Sequence, residues 1–95
     1  MRSILIIGAG KSTSSLIHYL LKASHQEDLQ LIIADKHKTI ADAHAGQHDR
    51  AKAIALDVFN TAERQQAIQD SDIVISMLPA RFHMEVAKTC VEYNK

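Results

Sequence analysis

"IIGAGKSTSS" (residues 6–15) decides the fold, because it carries letters of two different phosphate-binding turns. Gly10-Lys11-Ser12 ends like the P-loop of nucleoside triphosphatases, whereas Gly8-Ala9-Gly10 begins like the glycine turn that binds dinucleotides. A P-loop follows G-x-x-x-x-G-K-S/T, which would put its first glycine at position 5 of this chain. That position is Leu5, inside the apolar run Ile4-Leu5-Ile6-Ile7. Only Gly8 and Ala9 then separate the run from Gly10, too short a loop for successive N–H groups to wrap a β-phosphate. The P-loop reading is therefore set aside.

Three more apolar runs follow the first: Leu31-Ile32-Ile33-Ala34, Ala53-Ile54-Ala55-Leu56 and Ile73-Val74-Ile75. None alternates with polar residues, which suits strands covered on both faces, as in a parallel sheet. The segments between them are long enough for a crossover helix each. After Gly10, Leu16, Ile17, Leu20 and Leu21 share one helical face. A short Ala-rich helix is expected from Lys38 to about Ala45, ending near Gly46. Asn60 caps a helix running to about Gln69, with Glu63 as its capping-box partner. After Pro79, Met84, Ala87 and Val91 form an apolar stripe, flanked by Phe82, Val86 and Cys90.

The pattern βαβαβαβα with right-handed crossovers gives an α/β, doubly wound (Rossmann-type) parallel sheet of about four strands, in the order 3-2-1-4. Residues 1–95 are expected to form one dinucleotide-binding domain. Lys95 falls where a doubly wound domain would begin a fifth strand, so the fourth run would be an apolar edge strand. Either the chain is a fragment truncated before strand five, or another copy covers that edge by self-association.

In this frame Gly8 makes the sharp exit from the strand and Gly10 lets the backbone approach a pyrophosphate. The helix beginning near Lys11 aims free N–H groups at the phosphates, Ser12 and Thr13 add hydroxyl donors, and Lys11 adds a point charge. Thr13 stands where the generic fingerprint has a third glycine, which implies looser packing of helix on sheet or a shifted helix. Asp35 ends the second strand, where a carboxylate accepts from ribose hydroxyls and repels a 2′-phosphate. That favours NAD, with NADP possible because Lys36 and His37 follow directly and would hold a 2′-phosphate if Asp35 turned away.

Composition excludes other classes. Lys plus Arg and Asp plus Glu number 11 each, so no basic stripe exists for nucleic acid, and 4% aromatic content argues against base-stacking platforms. No apolar run approaches the roughly 20 residues that span a bilayer, and the short amino-terminal run is no secretory signal. A cytoplasmic protein with no membrane partner is expected. Cys90 is the one cysteine and reads as core, with no basic neighbour in sequence to activate it. Six histidines invite a metal reading, but His44 and His48 have Gly46 between them and no further ligand completes a set. No metal site is expected. Lys22, His25, Glu27 and Asp28 read as a solvated helix end, and Gln47-His48-Asp49-Arg50 as a polar connection. His83, just after Pro79, stands at the mouth of the expected site, with an exposed first-turn position as its alternative.

Three stretches, "ILIIGAGKSTSSLIHYLL" (4–21), "AIALDVFN" (53–60) and "DIVISMLPARFHMEVAK" (72–88), together resemble the amino-terminal Rossmann domain of glutamate-forming saccharopine dehydrogenases (saccharopine reductases). The Leu-Asp-Val and Ser-x-Leu-Pro-x-x-Phe-His segments are the more specific part, and the resemblance runs through essentially the whole chain. It implies a parent oxidoreductase of lysine metabolism that interconverts saccharopine with glutamate and aminoadipate semialdehyde, using NAD(P). Carried over to this sequence, the turn from Gly8 to Thr13 would hold the pyrophosphate, and Asp35 and Lys36 would face the adenosine ribose. Asp57 and Val58 would lie along the adenine, and Leu78 and Pro79 would line the nicotinamide ribose. The second strand of NADP-using members often ends in a basic residue, from which Asp35 departs. The amino-acid substrate would be held by a second domain not present here, so the chain alone is expected to bind cofactor without turnover and to supply no catalytic residue. The alternative is a non-catalytic NAD-sensing domain of the potassium-transport type. Such domains share the glycine turn but keep the third glycine and lack Leu78-Pro79.

Overall fold

The computed structural model describes residues 2–8, 14–46, 48–77 and 80–93, with the side chains of 80–85 outside that description. Strands and helices alternate strictly: β1 (Arg2–Ile7), α1 (Ser14–Ala23), β2 (Leu29–Asp35), α2 (Lys38–Ala45), β3 (Ala51–Ala55), α3 (Thr61–Gln69), β4 (Ile73–Ser76) and α4 (Ala80–Glu92). The strands form one sheet in the order β3-β2-β1-β4, and every pair is parallel. In register, Ile4 sits between Leu31 and Ile73, and Ile7 between Ala34 and Ser76.

The unbroken apolar runs have a direct physical cause. Successive side chains of a strand point to opposite faces, and both faces are roofed. Ile4 and Ile6 of β1 join Leu31 and Ile33 of β2 in a cluster under Ile17 of α1 and Ala41 and Ala45 of α2. Leu5 and Ile7 turn the other way, with Ala34, into a cluster holding Leu56, Val58, Ile68 of α3 and Val86 of α4. Leu5 is fully buried, so the residue that excluded a P-loop is indeed a strand interior.

Local signals act where they stand. The Asn60 side chain accepts the Glu63 N–H at 3.1 Å and caps α3. The capping box is not reciprocal on that backbone: the Asn60 N–H donates to the Asp57 carbonyl at 2.9 Å. Gly46 closes α2 with φ 57°, and its N–H returns to the Asp42 carbonyl. Strand β3 begins at Ala51, two residues before the apolar run. An edge strand tolerates the exposed Lys52 because only one side needs pairing.

One expectation shifts by a third of a turn. On α4 the core-facing residues are Val86, Thr89 and half-buried Cys90, whereas Ala87 is exposed and Val91 is 78% exposed. The stripe through Ala87 and Val91 therefore faces outward, and Met84 and Phe82 lie outside the described side chains. The helix turns its other face inward because Thr89 is anchored from below by Arg64 of α3, a polar contact that hydrophobic periodicity does not register. Burial pushes the Cys90 thiol above its ordinary pKa, as expected for an inert core cysteine.

Candidate functional site

The carboxyl ends of β1, β2 and β3 surround one cavity of about 160 Å³. That is below the roughly 300–1,000 Å³ that encloses a drug-sized ligand, so this hollow takes one portion of a larger molecule. It is lined by Ile7, Gly8, Asp35, Lys36 and the segment Leu56-Asp57-Val58-Phe59.

Each lining group is placed by a local device. Gly8 leaves β1 at φ 93°, a conformation that L side chains rarely adopt, and its N–H still bonds the Ala34 carbonyl at 2.9 Å. The chain therefore turns sharply without losing its pairing to β2. Asp35 ends β2, and its Oδ2 accepts the His37 N–H at 2.9 Å. Asp57 repeats the arrangement after β3: its Oδ1 accepts the Phe59 N–H at 3.0 Å. Such turns tie a carboxylate to the backbone two residues on and fix the direction in which the loop leaves. Leu56 N–H donates to the Asp35 carbonyl at 2.9 Å, which joins the two loops at their bases. Val58, at the cavity wall, is held by its carbonyl, which accepts from Arg64 Nη1 at 2.6 Å.

At the end of β4, beside Ile7 in register, the Ser76 hydroxyl is buried and has no hydrogen-bond partner among the described residues. A buried hydroxyl without a partner costs free energy, and it stands at the carboxyl end of the sheet, where such folds hold ligands. Together with the side-chain-free turn at Gly8, it fits a site built to receive a polar group.

The structure thus brings Gly8, Asp35, Lys36, Asp57 and Val58 to one cavity. Gly10, Lys11, Ser12, Thr13, Leu78 and Pro79 lie outside the described residues, as does the His83 side chain. Sequence reasoning missed Phe59, which is 58% exposed on the cavity rim. The available signal was an aromatic directly after a strand-end Asp-Val in a chain with only two Phe and two Tyr. It also missed Arg64, for which no apolar pattern gives a signal.

At the opposite edge of the sheet, the "solvated" loops are linked rather than loose. His25 Nε2 meets Asp49 Oδ1 at 2.9 Å, and Arg50 Nη1 donates to Asp28 Oδ1 at 2.9 Å. His44 Nδ1 lies 3.5 Å from the Ser14 hydroxyl. Among the described residues no helix is long and apolar enough to cross a membrane.

A parallel 3-2-1-4 sheet with a glycine exit from β1 and acidic ends to β2 and β3 defines a dinucleotide-binding domain of the Rossmann class. A Rossmann-fold NAD(P)-binding family protein from Shigella flexneri superposes with a TM-score of 0.80 over 99% of this chain and 48% of its own, at 22% identity, a likeness of fold. Residues 4–95 match the family model of the saccharopine dehydrogenase NADP binding domain, and the chain belongs to that family. It is 30% identical over its full length to a saccharopine dehydrogenase [NADP(+), L-glutamate-forming] of Schizosaccharomyces pombe. Apo saccharopine dehydrogenase (L-Glu forming) from Saccharomyces cerevisiae superposes with a TM-score of 0.88 over all of this chain, at 27% identity. The chain spans 20% of the length of each of these two relatives. The cofactor class is therefore NAD(P), with NADP the more specific member, and the relatives are oxidoreductases.

Proposed function

We propose that this chain is the cofactor-holding part of a saccharopine dehydrogenase-like oxidoreductase and that its cavity takes the adenosine end of NADP. The gathering of Gly8, Asp35, Lys36, Asp57 and Val58 around one cavity carries this reading. The turn from Gly8 through Gly10, Lys11, Ser12 and Thr13 would receive the pyrophosphate. Val58 and Asp57 would flank the adenine, and Leu78 and Pro79 would line the nicotinamide ribose.

Asp35 bears on the choice between NAD and NADP. One oxygen of its carboxylate is committed to the His37 N–H, so part of its charge is spent on its own loop rather than on repelling a 2′-phosphate. Lys36, exposed at the cavity rim, supplies the opposing cation. When bound, the dinucleotide would supply or accept a hydride, exchanged with an amino-acid-derived secondary amine or imine. This chain's residues hold and orient the cofactor. The groups that position the substrate are assigned to another part of the parent enzyme, so residues 1–95 alone bind cofactor without turnover. The exposed edge of β4, with Ile73 and Met77, is the surface through which two copies would pair, which sedimentation velocity tests as a concentration-dependent dimer.

Fluorescence titration with NADPH and NADH tests the assignment. NADPH should bind more tightly, and Lys36→Ala should lower its affinity about tenfold, as expected for loss of one charge-assisted hydrogen bond. Equal affinities for the two cofactors, or no effect of Lys36→Ala, would remove the 2′-phosphate assignment. Saccharopine-dependent formation of NADPH by the isolated chain would overturn the division of labour.

A further inference from the structure

The amino-terminal edge of the sheet carries a second cluster of chemistry-bearing side chains. His25 lies in the turn between α1 and β2, and His48 and Asp49 in the connection between α2 and β3. Asp49 Oδ1 is 2.9 Å from His25 Nε2 and 3.4 Å from His48 Nδ1, and one ligand atom of each residue lies within 4.8 Å of the other two. Among the described residues this is the one group of three or more such side chains close enough to share an ion.

His48 Nδ1 presents a lone pair to the Arg50 N–H, which it accepts at 3.1 Å. It faces the Asp49 carboxylate at 3.4 Å, and two lone-pair atoms so placed have no proton between them. Asp49 Oδ1 also takes a hydrogen bond from His25 Nε2, so a cation shared by the three groups would stand where that proton now is. We propose that His25, His48 and Asp49 form a divalent transition-metal site of the zinc type, with solvent filling the remaining coordination positions.

The chemistry suits a borderline ion. Two imidazoles and one carboxylate are an N/O set that Zn²⁺ accepts at about 2.0–2.2 Å, and a tetrahedral site then separates its ligands by about 3.4 Å. The contacts at 2.9 and 3.4 Å already lie near that spacing, and His25 and Asp49 are exposed enough to adjust. Binding exchanges the Arg50 N–H on His48 Nδ1 for the metal and releases to solvent the His25 Nε2 proton that now bonds Asp49 Oδ1. The ion would fasten the end of α1 to the start of β3. Its site lies at the other end of β2 from the cofactor cavity, about 20 Å away for a seven-residue strand. The proposal is thus independent of the cofactor assignment.

Isothermal titration of the chain with zinc chloride should show one saturable site. His25→Ala and Asp49→Asn should each weaken it at least tenfold, while His18→Ala leaves it unchanged. The Co²⁺ form should show the visible bands of a four-coordinate N/O site, lost in His25→Ala. Circular dichroism and NADPH titration of His25→Ala establish that the variant is folded. Absence of saturable binding, or His25→Ala binding Zn²⁺ like the parent chain, overturns the proposal.

Discussion

The two ends of the sheet use the same carboxylates in opposite ways. At the carboxyl end, Asp35 and Asp57 each bond the backbone two residues further on. At the amino end, Asp72 Oδ2 accepts the Ser3 N–H across 69 positions, Asp28 accepts from Arg50 across 22, and Asp49 meets His25 across 24. A bond to one's own loop shapes that loop and joins nothing else. A bond across the chain closes a large loop and contributes to global stability. These two bonds thus shape the loops at one end, whereas the three at the other end tie distant parts of the chain together. Substitutions should separate accordingly, with affinity moving at one end and stability at the other.

Arg64 is the exception that breaks this division, so it should show the largest effect. It is 7% exposed, and it joins α4 through Thr89 Oγ1 and the cavity loop through the Val58 carbonyl, both at 2.6 Å. A hydrogen bond from a charged donor contributes about 1.5–3 kcal/mol, against which the guanidinium's desolvation must be set. Arg64→Met should therefore lower stability by about 2–3 kcal/mol in urea unfolding and also weaken NADPH binding. Arg64→Lys, which keeps the charge but not the forked reach, should restore stability better than affinity. If Arg64→Met unfolds earlier but binds NADPH like the parent, Arg64 supports the core alone and the Val58 contact is incidental.

Within the division, Asp72→Ala and Asp57→Ala are the matched pair. Asp72→Ala removes an exposed long-range bond and should cost about 1 kcal/mol, with NADPH affinity unchanged. Asp57→Ala should cost about 0.5 kcal/mol or less, since its bond is local and exposed, while releasing Phe59 and weakening NADPH several-fold. The reverse pattern would show that the two ends do not differ as described.

How far the sequence revealed this follows from the range of each interaction. The sheet was legible because strands buried on both faces leave unbroken apolar runs, and crossover handedness then restricts the strand order. Gly8, Asp35 and the Asn60 cap were legible because each acts on backbone within a few residues. The phase of α4 was not, since an outward stripe and an inward stripe a third of a turn apart are equally apolar until Arg64 selects Thr89. The lacing of the amino end was hidden for a related reason. His25 and Asp49 look like ordinary loop residues in sequence, and only the alignment of β2 with β3 brings them together. Arg64, a charged residue in a helix with little apolar periodicity, announces nothing until the fold buries it.

The smallest effect belongs to the Asp28–Arg50 pair, and it tests whether the lacing is electrostatic as well as geometric. The Arg50 guanidinium holds the Asp28 carboxyl below its ordinary value of 3.8. A carboxylate whose pKa is depressed by folding contributes stability above its unfolded pKa and loses it as pH falls through the folded one. The contribution should therefore be complete above about pH 4–5 and vanish at lower pH. It is small, because Asp28 is exposed and water screens the pair. Arg50→Met should return the Asp28 pKa toward 3.8, read by NMR titration of its carboxyl carbon. The shift should also shrink in salt, because an exposed pair is screened. An Asp28 pKa that does not move at all in Arg50→Met would show that the guanidinium is not the main cause of the depression, and the Asp28 link toward β3 would then be a contact without electrostatic consequence.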